Sequence, residues 1–352
     1  MQWKDNWQQA KQHFIDWWNA EGMAVHIVAP RPEPIEPIPA PPKAESLEQR
    51  WLDPAWRVSR AEYDLANTLF LADAIPYFPA LLGPGSLGTF LGAEPHFDWR
   101  TVWYEPCIQD PAGYGPITFD PTYNRWWDAH LALIDQGLRR SDGRYLVGLP
   151  DLVENIDTYA AMRGTNETLM DLIEQPAVVE EKIEQINQAF FQAFDLLYER
   201  IRELDEGSVF SAFHVWGPGK VAKVQCDACC MISPEMFRRF VQPCLRAQCD
   251  WLDFSVYHLD GPGAIVHLDA LLEIDSLNAI QWTPGAGNLP AGDPHWFDMY
   301  KRILAAGKGI HASCLPDDLI PLLDAVGTRG VYALTGCETA EEACALAEKV
   351  EA

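Results

Sequence analysis

The stretch LDFSVYHLDGPG, residues 252–263, decides the reading of this chain. Its first half is an apolar, β-rich run that ends at His258, and its second half opens a Gly261-Pro262-Gly263 turn. A β-rich run of this kind fits a strand buried on both faces, as the parallel strands of α/β proteins are. Comparable runs recur from about Arg144 onward: Tyr145 to Leu149, Val209 to His214, Ala279 to Trp282, Gly309 to Ser313 and Gly330 to Leu334. Helical patterns lie between them. Val179, Ile183, Ile186, Phe190, Phe194 and Leu197 share one face of a long helix. Ser233 and Pro234 stand as N-cap and first residue of another, and Thr339 to Val350 closes the chain as a third.

Toward the N-terminus, Trp3, Trp7, Ala10, Phe14 and Trp18 fall at three-to-four spacing and mark an amphipathic helix. A short strand from Ala24 to Val28 follows. Pro30 to Pro42 is too proline-dense for helix or ladder, because proline lacks the N–H both require, so it reads as an extended arm packed on the body or on a second subunit. Adding the Ala24 strand and one near Thr68 to Ile75 to the six later units makes eight. The expected fold is therefore α/β, a closed (β/α)8 TIM barrel forming one domain over residues 1–352. Its first 50 residues hold the N-terminal helix, the first strand and the proline-rich arm. No GxGxxG sits at a strand-to-helix turn, which weighs against a dinucleotide-binding sheet.

Composition narrows the partners. A formal net charge of −25 repels phosphate backbones and anionic lipid surfaces, so neither nucleic acid nor membrane is an expected partner. The N-terminal segment mixes Lys4, Asp5, Asp16 and Glu21 among its apolar residues, unlike a secretion signal, and no apolar run is long enough to span a bilayer. Nine cysteines, an odd count, then fit reduced thiols in the cytoplasm. Fourteen tryptophans leave aromatic surface for pockets.

In a barrel of this kind the reactive groups lie at the C-terminal ends of strands. His258 and Asp260 end the Leu252 strand two positions apart, so an extended backbone points both the same way. Cys337 follows the last strand. An imidazole, a carboxylate and a thiolate suffice for a three-ligand zinc site with one open position. The competing interpretation is that Asp260 caps a helix starting near Ala264, His258 is a satisfied core histidine and Cys337 a buried thiol. His214 and Trp216 beyond the Val209 strand, Asp227, Trp282, and His311 with Cys314 at the end of the Gly309 strand are candidate substrate-binding residues. His267 and Asp269 could hold the imidazole of His258 from behind. The Cys226, Cys229 and Cys230 cluster has no second ligand pair after it and reads as local packing.

These residues also carry a family resemblance. Asp227 to Pro243, with Ser233-Pro234-Glu235, Phe237, Phe240 and Pro243, resembles the loop-helix element of the uroporphyrinogen decarboxylase superfamily. Tyr257-His258-Leu259-Asp260-Gly261-Pro262-Gly263 and Gln281-Trp282-Thr283-Pro284-Gly285 resemble its corrinoid-dependent methyltransferase branch, and the likeness extends over about Arg144 to Ala352. Members of that branch bind zinc through His-x-Cys and a later Cys. At those positions this chain has His258, Asp260 and Cys337, with a carboxylate in place of one thiolate. A carboxylate donates less charge than a thiolate, so zinc held here would stay more electrophilic and favour an oxygen or nitrogen substrate. The resemblance implies methyl transfer from a small O- or N-methylated compound to the corrinoid (cobalamin) of a separate protein. A uroporphyrinogen decarboxylase-like activity would need several cations for its anionic substrate, and only Arg31 stands where they are expected. A barrel glycosidase would need paired carboxylates such as Asp227 with Asp260 or Glu338. A binding protein would use a Trp-lined mouth without turnover.

Overall fold

The computed structural model describes residues 1–351. Its strands, in chain order, are β1 Met23–Pro30, β2 Thr68–Ala72, β3 Tyr77–Pro79, β4 Glu94–Phe97, β5 Val102–Glu105, β6 Leu146–Gly148 and β7 Gly207–Phe210. They continue with β8 Val215–Pro218, β9 Val221–Gln225, β10 Phe254–Asp260, β11 Ala279–Thr283, β12 Gly309–Ser313 and β13 Val331–Gly336. Seven form one central sheet in the order β2-β1-β13-β12-β11-β10-β9. Every pairing in it is parallel except β1 with β2. Helices follow β10 to β13 in turn, as parallel crossovers require.

Most of the expected strands form within a residue or two of where their apolar runs lie, although the Val209 run stops at Phe210 and turns before His214. Two further differences bear on the sheet. Thr68–Ala72 is a strand, but it runs antiparallel to β1 at the edge of the sheet, while the parallel ladder in this region joins β3 to β6. The helix Pro54–Ala66 and the Asn67 turn return the chain alongside the strand it left, which forces the antiparallel direction. Val221–Gln225 is a strand that the apolar pattern does not mark, because Lys223 and Gln225 interrupt it, yet all five residues are buried and pair with β10. The β3–β6 ladder, the β7–β8 hairpin and the β4–β5 hairpin stand outside the central sheet, with one parallel bridge from Leu149 to Phe210.

The N-terminal helix, α1 (Trp7–Trp18), closes the end where the strands begin. The Trp17 indole N–H donates to the Ile310 and Gly330 carbonyls at the heads of β12 and β13, and that of Trp18 donates to the Trp216 carbonyl. Phe14 packs edge-on against Tyr332 and lies against Trp216. The proline arm contains no helix or strand from 31 to 46 and is held to the chain's own body: Ile35 N–H donates to Ala66 O, and the Trp56 indole to Pro42 O. No helix among the described residues is long and apolar enough to cross a membrane.

Phe14 is completely buried. Phe14→Ala is expected to lower stability by about 3–5 kcal/mol, the usual cost of emptying an aromatic site. Chemical denaturation measures it, and a loss below about 1 kcal/mol would show that α1 is not part of the core.

Candidate metal centre and pocket

Parallel register sets up the site. Gln225 on β9, His258 on β10, Gln281 on β11, His311 on β12 and Tyr332 on β13 are successive partners across the sheet, so their side chains leave the same face at one level. His258 sits between two glutamines. Its Nδ1 lies 2.5 Å from Gln281 Oε1, and the Gln281 amide nitrogen donates to Trp282 O and Thr283 Oγ1. With that nitrogen committed, the Gln281 oxygen must accept from His258. Nδ1 therefore carries the proton, and Nε2 presents its lone pair outward.

Asp227 lies 4.0 Å from that Nε2. It opens the short turn Asp227–Met231, whose first two amides, on Asp227 and Ala228, donate to the two carboxylate oxygens of Asp157 at 2.7 and 3.0 Å. Asp157 also accepts from the Gln225 side chain, so one carboxylate on the Asn155–Arg163 helix fixes the turn against β9. Asp260, two residues past His258 on the same strand, completes the group: ligand atoms of Asp227, His258 and Asp260 all lie within 4.8 Å of one another. Zinc bonds of about 2.0–2.2 Å to nitrogen and oxygen would require these atoms to close to roughly 3.5 Å, which exposed carboxylates can do by rotamer changes. No side chain caps the turn Pro262–His267, so the capping role considered for Asp260 is not the one it plays.

Asp227 and His258 of this group line a pocket of about 650 Å³ together with Trp103, Tyr104, Phe213 and Met231 and the polar Asp151, Asp157, Lys223 and Gln225. Lys223 is its one lysine or arginine among the described residues. It is 3% exposed, 2.8 Å from Asp151, and also donates to Gln225 Oε1. Burial pushes Glu154 well above the usual carboxylate range, with Lys223 opposing; its Oε1 accepts from the Gln225 amide, and its Oε2 has no partner among the described residues. The Asp227 carboxyl is pushed up to about 6, first by desolvation and then by the charges of Asp157 and Asp260, against His258 and Lys223. Half of its side chain still meets solvent, so partial burial at the pocket rim acts together with the neighbouring carboxylates.

Several expected site residues lie elsewhere. Cys337 is not in the group: the strand it follows, β13, is three positions from β10 in the sheet, its amide donates to Val28 O on β1, and its buried thiol is pushed up by burial. Asp227 takes the place that the sequence assigns to Cys337. Trp216 is at the opposite end, against α1, its indole bonded to Glu203. Trp282 is buried against Trp296. His214, in left-handed backbone, hydrogen-bonds Tyr77 OH, and His311 donates to Phe213 O; burial pushes both imidazoles down to about 4, and neither lines the pocket. Cys314 is buried, its thiol pushed up to about 12 by burial. His267 stacks on Phe237 and bonds Cys229 O, while Asp269 pairs with Arg302, so Gln281 performs the supporting role expected of them. Sequence reasoning does not single out Asp151, Asp157, Lys223, Gln225 or Gln281 as site residues. The alternation of Lys223 with Gln225 inside an otherwise apolar run is the available sign of an inward-facing polar strand.

No family model matches the chain, and no curated protein matches it.

A proton on Asp227 competes with any cation at this group. Zinc affinity is therefore expected to weaken as pH falls below about 6, and Asp227→Asn is expected to lower affinity and flatten that dependence. Competition titration against a chromogenic chelator from pH 5 to 8 checks this; a wild-type slope unchanged by the substitution would remove Asp227 from the ligand set.

Proposed function

We propose that the chain is a zinc-dependent methyltransferase that takes the methyl group of a small O- or N-methylated compound and delivers it to the corrinoid of a partner protein. The observation that carries this reading is the Asp227, His258 and Asp260 group, with Nε2 of His258 directed outward beside a pocket of substrate size. The likeness of residues 257–263 and 281–285 to corrinoid-linked methyltransferases supports it. One nitrogen and two carboxylates are acceptable zinc ligands, and the bond from His258 Nδ1 to Gln281 is of the kind that metal-binding histidines make with their other nitrogen. The same reading takes the fold to be a (β/α)8 barrel, in which the β3–β6 ladder and the Leu149–Phe210 bridge continue the central sheet between β1 and β9. Nine unpaired cysteines support a cytoplasmic setting.

In this mechanism His258, Asp227 and Asp260 would hold zinc, which would supply Lewis acidity at the heteroatom carrying the methyl group. Asp157 holds Asp227 in place through two backbone amides. Trp103, Tyr104 and Phe213 form an apolar wall that orients the substrate and excludes water on that side. Lys223, paired with Asp151 and donating to Gln225, holds those two polar side chains in fixed positions along the pocket. A second reading, glycoside hydrolysis, has one observation in its favour: Asp227 keeps its proton up to about pH 6 beside a second carboxylate, as a general acid must.

Purified protein should hold one zinc per chain. With reduced corrinoid protein and a panel of methoxylated sugars, methoxylated aromatics and methylamines, it should methylate cobalt. His258→Ala and Asp227→Ala should each lower kcat/KM by at least about 10², and Cys337→Ala should leave it within about twofold. Turnover of a glycoside that survives chelation and needs no corrinoid would establish the second reading instead.

A further inference from the structure

A separate pocket of about 710 Å³ lies beneath the proline-rich arm and shares no lining residue with the one beside His258. Its lining includes four of the chain's cationic side chains, Lys43, Arg50, Arg57 and Arg60, together with Trp51, Trp56 and Trp99. In a chain of formal charge −25 that concentration needs a reason. Arg60 has one, since it pairs with Asp64 on the same helix. The other three form no ion pair among the described residues.

Arg57 is the most telling. Its guanidinium donates to the carbonyls of Trp51, Pro79 and Leu81 at 3.1, 3.4 and 2.9 Å, which hold it in place without cancelling its charge. Burial, with Arg50 adding, pushes it down to about 10. The Arg50 Nε atom is shut off from solvent and has no hydrogen-bond partner among the described residues. Both guanidinium carbons approach the same ring, at 5.8 and 5.9 Å from the Trp51 centroid. Two partly buried like charges against one ring, one with an unfilled donor, are costly unless an anion joins them.

The geometry points to a binding site for a planar organic anion, its carboxylate or phosphate group held between Arg50 and Arg57 and its ring against Trp51, Trp56 and Trp99. A bare inorganic ion would satisfy the charges but leave the aromatic walls and most of the volume unused. A ring-bearing anion fills both. The guanidinium fork suits carboxylate and phosphate alike, so the ligand comes from aromatic carboxylates or from nucleoside monophosphates.

Calorimetric titration of the full chain with 2-naphthoate, AMP, acetate and inorganic phosphate tests the site. At least one ring-bearing anion should bind one per chain, at least tenfold tighter than acetate or phosphate, and the arm that binds identifies the acid group. Arg50→Gln and the half-exposed Trp99→Ala should each weaken that binding at least tenfold, whereas His258→Ala should leave it unchanged. The proposal is overturned if neither ring-bearing anion binds, if both substitutions leave binding intact, or if His258→Ala abolishes it. A concentration-dependent dimer broken by the same two substitutions, without ligand binding, would also overturn it and make this face a contact between copies.

Discussion

Everything the site can do rests on the parallel register of β9, β10 and β11. Because Gln225, His258 and Gln281 are direct partners, a single imidazole is flanked on both sides by amides of fixed orientation. The Gln281 amide cannot turn without breaking its bonds to Trp282 O and Thr283 Oγ1, so it holds the His258 tautomer as well as the ring plane. A slip of one residue on β11 would put Gln281 on the opposite face of the sheet and leave Nδ1 without its acceptor. The metal-ready nitrogen is thus a property of the sheet, held by backbone ladders rather than by flexible loops.

The surroundings of that nitrogen carry excess negative charge. Asp151, Asp157, Asp227, Asp260 and Glu154 lie around one buried Lys223, and burial first, with mutual repulsion adding to it, raises Glu154 well above the usual carboxylate range and Asp227 to about 6. A lysine already committed to Asp151 and Gln225 cannot neutralise the rest. Such a site gains from a divalent cation in proportion to the repulsion the cation removes, and binding would release the proton that Asp227 holds below that value.

The second half of the chain is the more legible in sequence, and the reason is physical. Strands β10 to β13 are mainly apolar, uncharged up to their C-terminal ends, and alternate with amphipathic helices, so composition and periodicity agree, and spacing alone places His258 with Asp260 on one side of one strand. Cys337 cannot be placed in the same way, because its distance from His258 depends on how far around the sheet β13 lies from β10, which strand order and curvature set rather than local pattern. Trp216 escapes for a different reason. The apolar run implies a strand continuing outward through residue 214, whereas the chain turns at Ser211–Phe213 into a hairpin and carries Trp216 back toward α1. Lys223 and Gln225 are hidden by the feature that brings them to the pocket, since a polar pair in a buried strand lowers the very signal that marks a buried strand.

The two pockets pose the same problem with opposite signs. Beside His258, carboxylates crowd together, and the shortage is of positive charge. Under the proline arm, Arg50 and Arg57 crowd around Trp51, and the shortage is of negative charge. Neither arrangement helps folding, because uncompensated charge near low-dielectric walls costs stability that apolar residues of the same volume would not. The Glu62 carboxylate shows how the same chain treats a charge whose role is purely structural. It is completely buried, and Arg140, Arg144 and Tyr145 all donate to it. Set beside that satisfied network, the unfilled Arg50 Nε and the raised Asp227 carboxyl are the places where the chain's own groups leave charge uncompensated.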